Sequence, residues 1–378
     1  MVGSIRIGRI FGIPVLLHWS FLLAIPFFAL IIGADIAVSS SLVGDFFKVP
    51  LDSTLIVSGI IPYILGVVVS LGLFLCVFVH ELAHCLVALR RGIRINSITL
   101  LILGGVSSIE NELPDPRDEL PMALAGPLTS LLLGILAWLV VIAGVPLISN
   151  RPVAGVVVFL FGYLAILNLI LFVFNLLPAF PMDGGRVLRA WLAKRMDLAR
   201  ATKIAADIGK IFAIIFGIFG TFVVFNPVLI IIAFFIYLGA DQEFLHVRST
   251  VLLKDVAVKD VMSTNLVTVN PDMPVPEIIR LMYASKHLGF PVVEMGMLVG
   301  MVTLEDVHRT SEIDRDAKRV RDIMARNLIT LPPTSMLSDA FRLMSKYNVG
   351  RIPIVSENTL LGIVTRTDIL KVMELREA

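Results

Sequence analysis

Residues 61–90 read IPYILGVVVSLGLFLCVFVHELAHCLVALR. From Ile61 to Val79 there is no charged side chain, and the apolar run as a whole, 61–89, is long enough to cross roughly 30 Å of hydrocarbon as a helix. Near its end stand His80, Glu81 and His84. An ionisable side chain at mid-membrane depth costs about 2.5–3.5 kcal/mol on insertion scales, so three so close together have to be held there by a function or by dedicated partners. Residues i and i+4 share a helix face, so His80 and His84 can present both imidazoles to one ion with Glu81 beside them, an HExxH arrangement. A histidine cluster packing a helix interface is the plainer reading of the same residues; their combined insertion cost favours a metal. A catalytic zinc takes three protein ligands and leaves a fourth position to water, so a third ligand has to come from elsewhere in the chain.

A second stretch, NLLPAFPMDGGR at 175–186, closes another apolar run. Pro178 and Pro181 remove amide donors and end a helix, and Gly184-Gly185 permits unusual backbone angles, so Asp183 is expected on an irregular segment able to turn inward. Irregular backbone at membrane depth survives only where protein or water surrounds it. His84 precedes Arg90 by about 9 Å of helix, and Asp183 lies at the corresponding end of its own run, so the depths agree. Taken alone, Asp183 reads as a solvated carboxylate in a Pro/Gly loop; two histidines in need of a ligand make it the candidate. Zinc in such a site acidifies water toward a pKa of about 7 and polarises a peptide carbonyl, and Glu81 is placed to take the water's proton and pass it to a leaving amine.

The rest of the chain agrees with a membrane setting. Of its 378 residues 57% are hydrophobic and 16% charged, which excludes an ordinary soluble globular protein. The apolar excess fills 1–245, whereas 252–378 has the composition of a soluble domain. Runs at about 14–34, 61–89, 120–147, 155–178, 205–225 and 227–243 predict six spans. With the N-terminus cytoplasmic, the inner loops hold Arg90, Arg91, Arg94 and Arg117, then Arg186, Arg189, Lys194, Arg195, Arg200 and Lys203. The outer long loops hold only Lys48 and Arg151, so the positive-inside rule places both termini in the cytoplasm. No small-residue cleavage site follows the first run, so no removable signal peptide is expected. A net charge of +2 gives no reason to expect a nucleic-acid partner, and Cys76 and Cys85 read as buried small hydrophobes rather than a disulfide framework.

The soluble part repeats itself at an offset of 62. Asp260-Val261-Met262 recurs as Asp322-Ile323-Met324, Pro291 as Pro353, and Gly300-Met301-Val302-Thr303 as Gly362-Ile363-Val364-Thr365. Each unit alternates short β-type runs (266–269, 290–293, 298–302) with a helical stretch (275–285), the pattern of a small α+β module.

The HExxH and NLLPAFPMDGG motifs together resemble the site-2 protease family of intramembrane zinc metalloproteases, over about residues 5–245. The resemblance implies that His80, His84 and Asp183 bind Zn2+ and that Glu81 is the general base. It also implies that Asn175 lies at the active site as an amide donor to the substrate carbonyl; a helix–helix hydrogen bond is the alternative for that residue. Ala125-Gly126-Pro127 looks like the family's third span, but Ser130 stands where an asparagine often follows, so that position receives no role. The implied substrate is a transmembrane segment of another membrane protein, cut within or near the bilayer. The β-type run 98–102, ended by Gly104-Gly105, matches a family hairpin beside the site, whose edge an extended substrate could join; an ordinary structural hairpin is the alternative. His18, alone on the first run, is expected to pack or hydrogen-bond rather than ligate.

The repeats resemble tandem CBS domains through Gly-x-x-Thr-x-x-Asp at Gly300, Thr303 and Asp306, then Gly362, Thr365 and Asp368. That resemblance implies an adenine nucleotide between the repeats, with Asp306 and Asp368 on ribose hydroxyls and Thr303 and Thr365 near phosphate. The same residues could instead cap helices. The expected architecture is thus a multi-pass α-helical membrane protein with six transmembrane helices (1–245) and an α+β CBS pair (252–313 and 314–375) as regulatory module or homodimer contact. A CBS-regulated transporter or channel would show repeated membrane halves and polar residues along several spans, and the sequence has neither. A catalytically dead scaffold would lack a ligand or the base, and all four residues are present.

Overall fold

The computed structural model describes residues 3–101, 104–109 and 115–377, in two compact units, Met1–Val247 and Arg248–Ala378. The first unit begins with strands β1 (Ser4–Ile10) and β2 (Ile13–His18), joined at Phe11 and Gly12, both at positive φ. The first apolar run, expected to be helical from residue 14, therefore opens as a strand: Ile13 and Val15 are buried in alternation, the period of a strand. His18 then caps helix α1 (Trp19–Ala34), its Nδ1 accepting from the Ser20 amide at 3.2 Å, which gives this histidine the hydrogen-bonding role expected of it. Helix α2 (Ile36–Phe47) follows α1 at a bend of 75°, inside a segment read from sequence as a loop.

Helix α3 (Ile61–Arg90) carries the HExxH stretch. After it come β3 (Ile95–Leu101) and β4 (Gly104–Ile109), an antiparallel pair; Ile102, the last residue of the expected run, lies outside the described residues. β2 joins β3 in parallel, with Val15 opposite Ile98, so the sheet order is β1-β2-β3-β4. Helices α4 (Pro116–Leu139), α5 (Arg151–Asn175), α6 (Asp183–Leu192), α7 (Leu198–Phe222) and α8 (Pro227–Leu252) complete the unit, α4 continuing through irregular turns to Leu147. Among the described residues, five helices are long and apolar enough to cross a membrane: α3, α4 with its continuation, α5, α7 and α8. The bent α1–α2 pair makes a sixth span if it crosses once. Large apolar side chains such as Leu75, Ile214, Ile218 and Phe222 face outward, as hydrocarbon solvent allows. Lys210, the charge near the start of the fifth run, pairs with Asp241 at 2.5 Å.

The second unit holds α9 (Val275–Ser285), β5 (Gly289–Glu294), β6 (Met297–Thr303), α10 (Leu304–Arg309), α11 (Val320–Ile323), α12 (Leu337–Tyr347), β7 (Arg351–Ser356), β8 (Thr359–Thr365) and α13 (Arg366–Glu377), with sheet order β5-β6-β8-β7. The duplication reaches into register: β5–β6 and β7–β8 pair alike and carry the same irregularity, between Val292 and Val293 and between Ile354 and Val355. The repeats also exchange their leading segments. Ser263 bridges to Ile363 and Ala325 to Met301, and the sulfur of Met262 lies against Gly362 as that of Met324 lies against Gly300. Leu253, Val256 and Val258 accordingly complete the core of the second repeat, and Val320 that of the first.

Candidate metal centre

His80 and His84 stand one turn apart on α3, and their Nε2 atoms are 3.1 Å apart. Each Nε2 is 3.2 Å from Oδ2 of Asp183, the first residue of α6. Three ligand-type atoms thus form a nearly equilateral triangle. Ligands bound tetrahedrally at about 2.0–2.1 Å stand roughly 3.3 Å from one another, so this triangle fits zinc with one position left over. Gly126 on α4 supports the same reading: a Cβ there would collide with both Nε2 atoms, so the space beside the imidazoles is kept clear by the absence of a side chain.

The far nitrogens fix the rings. His80 Nδ1 lies 2.9 Å from the Ser130 hydroxyl, and His84 Nδ1 lies 2.7 Å from the Met122 carbonyl oxygen, both partners on α4. A hydrogen bond at Nδ1 orients the imidazole and frees the Nε2 lone pair for a metal. Ser130, fully buried and without an assigned role in the sequence, is therefore a positioning residue; its signal was its spacing of four from Gly126, which puts both on one helix face. Glu81 is held from the other side, its Oε2 accepting from the Ser107 hydroxyl of β4 at 3.0 Å while Gly105 packs against its side-chain carbons. His80, Glu81 and His84 offer ligand atoms within 4.8 Å of one another.

Asp183 reaches the histidines because α6 starts tightly under the preceding turn. Cβ atoms at Gly184 and Gly185 would run into the backbone of Leu176, Leu177, Ala179 and Phe180. Those glycines were expected to supply unusual backbone angles; they have helical ones, and their smallness serves close approach instead. Further along α6, Arg189 is buried and clasped by two carboxylates: its Nε donates to Glu119 at 3.0 and 3.2 Å, its Nη2 also to Glu119, and its Nη1 to Glu243 of α8 at 3.0 Å.

A cavity of about 430 Å3 opens on these groups, lined among others by His80, Glu81, His84, Asn175, Asp183, Arg186 and Glu243. Around it Glu81, Glu119, Asp183 and Glu243 face the guanidiniums of Arg186 and Arg189, a formal surplus of two negative charges that a divalent cation neutralises. Asn175 lines the cavity, but its Nδ2 donates within its own helix to the Leu171 carbonyl oxygen at 3.0 Å. In the second unit Thr303 with Asp306, and Thr365 with Asp368, form matching caps on α10 and α13. The Thr303 amide and hydroxyl donate to Asp306 Oδ2 at 2.8 and 2.6 Å, and those of Thr365 to Asp368 Oδ2 at 2.9 and 2.7 Å.

The chain matches the family model for peptidase family M50 over residues 68–151 and 141–216, and that for the CBS domain over 258–312 and 320–375. It is similar to a zinc metalloprotease of Methanocaldococcus jannaschii, with 36% identity over 99% of this chain and 97% of the relative. The CBS domain-containing protein YhcV of Bacillus subtilis is 38% identical across 30% of this chain and 82% of its own length. Among solved structures, the site-2 protease from Methanocaldococcus jannaschii superposes with a TM-score of 0.44 at 37% identity, covering 64% of this chain and 95% of that one.

Removing the hydroxyl that orients His80 has a measurable consequence. Ser130→Ala is expected to weaken zinc affinity by roughly 10–100-fold while leaving the helices intact, read by competition with a chelator and by circular dichroism. Unchanged affinity would show that the Ser130 contact does not orient the ring.

Proposed function

The chain belongs to peptidase family M50, the site-2 protease zinc metalloproteases, as an intramembrane enzyme with two C-terminal CBS domains, and from this premise we propose the role of each residue at its centre. His80, His84 and Asp183 hold the zinc, Glu81 is the general base, and the bond cut lies within or near a transmembrane segment of another membrane protein. The observation that carries the ligand set is the triangle of two Nε2 atoms and one Oδ2 with edges of 3.1–3.2 Å. Zinc bound there supplies Lewis acidity, acidifying water and polarising a carbonyl oxygen. Glu81, oriented by Ser107, accepts the proton as water attacks the carbonyl carbon, then delivers it to the amine nitrogen as the C–N bond breaks.

The pairing of β2 with β3 supports a six-span topology. It puts the start of α1 on the same side as the end of α3, so the chain crosses once between them, through the bent α1–α2 pair. Counting onward, α5 ends and α8 returns on that side, which also carries the Arg and Lys residues of the 90–94 and 186–203 segments. The site side is therefore cytoplasmic, along with both termini and the CBS pair. The CBS pair we assign as the regulatory module, with an adenine nucleotide as its ligand at Thr303, Asp306, Thr365 and Asp368. The duplicated pattern supports this, and capping engages Oδ2 of each aspartate without using the whole carboxylate.

Three experiments test these assignments. Purified protein is expected to carry about one zinc per chain; Ala at His80, His84 or Asp183 depletes it, whereas Glu81→Gln keeps the metal and abolishes peptide cleavage. Zinc retained by Asp183→Ala would remove that residue from the ligand set, and cleavage by Glu81→Gln would remove the base. Single cysteines placed at 193–197 are expected to react only from the cytoplasm and those at 48–52 only from outside; labelling of both from one side would break the topology. Calorimetry of the full-length protein is expected to show saturable binding of ATP or AMP that Asp306→Ala or Asp368→Ala weakens, and no saturation at millimolar nucleotide would leave these residues as helix caps only.

A further inference from the structure

Arg186 lies three residues beyond Asp183 on α6 and lines the same cavity. The two arginines of α6 differ sharply: Arg189 is clasped by Glu119 and Glu243, whereas the Arg186 guanidinium, partly buried, makes no hydrogen bond or ion pair among the described residues. The carboxylates that act on it do so through space, Glu243 first, then Asp183, Glu119 and Glu81. A guanidinium carries five donors in a planar fork, stays protonated, and is expensive to keep half-desolvated without an acceptor. Its donors point to an acceptor that arrives from outside the chain.

Peptide hydrolysis supplies such an acceptor. As water adds to the carbonyl carbon, the π electron pair moves onto the carbonyl oxygen, and a donor already in place there stabilises the charge without reorganising. Asn175, whose side-chain amide also lines the cavity, commits one of its two Nδ2 hydrogens to the Leu171 carbonyl of its own helix. We infer that Arg186 is the substrate-contacting donor, its guanidinium hydrogen-bonding the carbonyl oxygen at the scissile peptide as negative charge develops there. Arg186 keeps its own proton throughout; the proton lost by water goes to Glu81 and then to the leaving nitrogen, and the electron pair on oxygen re-forms the carbonyl as the C–N bond breaks. This inference rests on the assignment of Glu81 and the zinc ligands above.

The test uses full-length enzyme in detergent and a labelled single-span polypeptide that the wild type cleaves. Arg186→Gln is expected to keep about one zinc per chain and a KM within about threefold, while kcat falls on the order of 10²–10³-fold. Arg186→Lys, which keeps a charge but loses the fork, is expected between the two. In Arg186→Ala, millimolar methylguanidinium is expected to restore at least about tenfold of the lost rate, which a merely structural arginine would not allow. A kcat unchanged in Arg186→Gln, a rise confined to KM, or a loss of zinc in parallel with activity would each overturn the inference. Cleavage of that polypeptide by Glu81→Gln at the wild-type rate would instead overturn the protease assignment on which it stands.

Discussion

A charge inside a bilayer has to be neutralised within a few ångströms, and in this protein α6 is where most of that neutralisation is done. Arg189 binds α6 to α4 through Glu119 and to α8 through Glu243, a three-way clasp in which Arg189 and Glu119 are buried and Glu243 is partly so. Removing one member would leave an uncompensated buried charge, which is far more damaging than losing an exposed ion pair. The clasp holds α6 by its middle, while Gly184 and Gly185 let its first turn close against the 176–180 backbone. Asp183 is thereby carried to the histidines by its helix rather than by its own side-chain preferences. The position of a ligand and the burial of an ion cluster are two results of one docking geometry.

The other half of the centre is set by α3 and α4, whose close contact depends on what α4 omits. Gly126 leaves room at the imidazole nitrogens, and Ser130, one turn on, supplies the oxygen that turns His80. Glu81 is held by Ser107 of β4 while its carboxylate stays within 4.8 Å of the imidazole nitrogens. Metal-facing and proton-transfer groups of neighbouring residues thus share one cavity, each fixed by a different element.

Much of this was legible in the sequence because strong signals are local. His80, Glu81 and His84 announced themselves by their insertion cost, and the Pro/Gly punctuation after Asn175 marked where the chain would turn. All five later runs emerge as spans near the residues expected. The start of the first run was not legible as a strand, because an apolar stretch next to a long apolar helix reads the same in either conformation until a partner is known, and that partner, β3, lies some eighty residues away. The bend between α1 and α2 and the orienting role of Ser130 were hidden for the same reason: each is decided by contacts between distant residues. Thr303 and Thr365 had two readings in the sequence, and the structure displays the capping one.

The exchanged leading segments of the CBS pair set an order on the birth of the molecule. Leu253 and Val258 leave the ribosome early, yet the core that receives them also needs Val364 and Ile369, made near the end of translation. The first repeat's core, by contrast, can close as soon as Val320 has emerged. The membrane helices are therefore synthesised ahead of the point at which the segment just beyond α8 has anything to pack against. During that interval the stretch from Leu253 to Val258 is an apolar handle on the nascent chain, which α12, β7, β8 and α13 take up together.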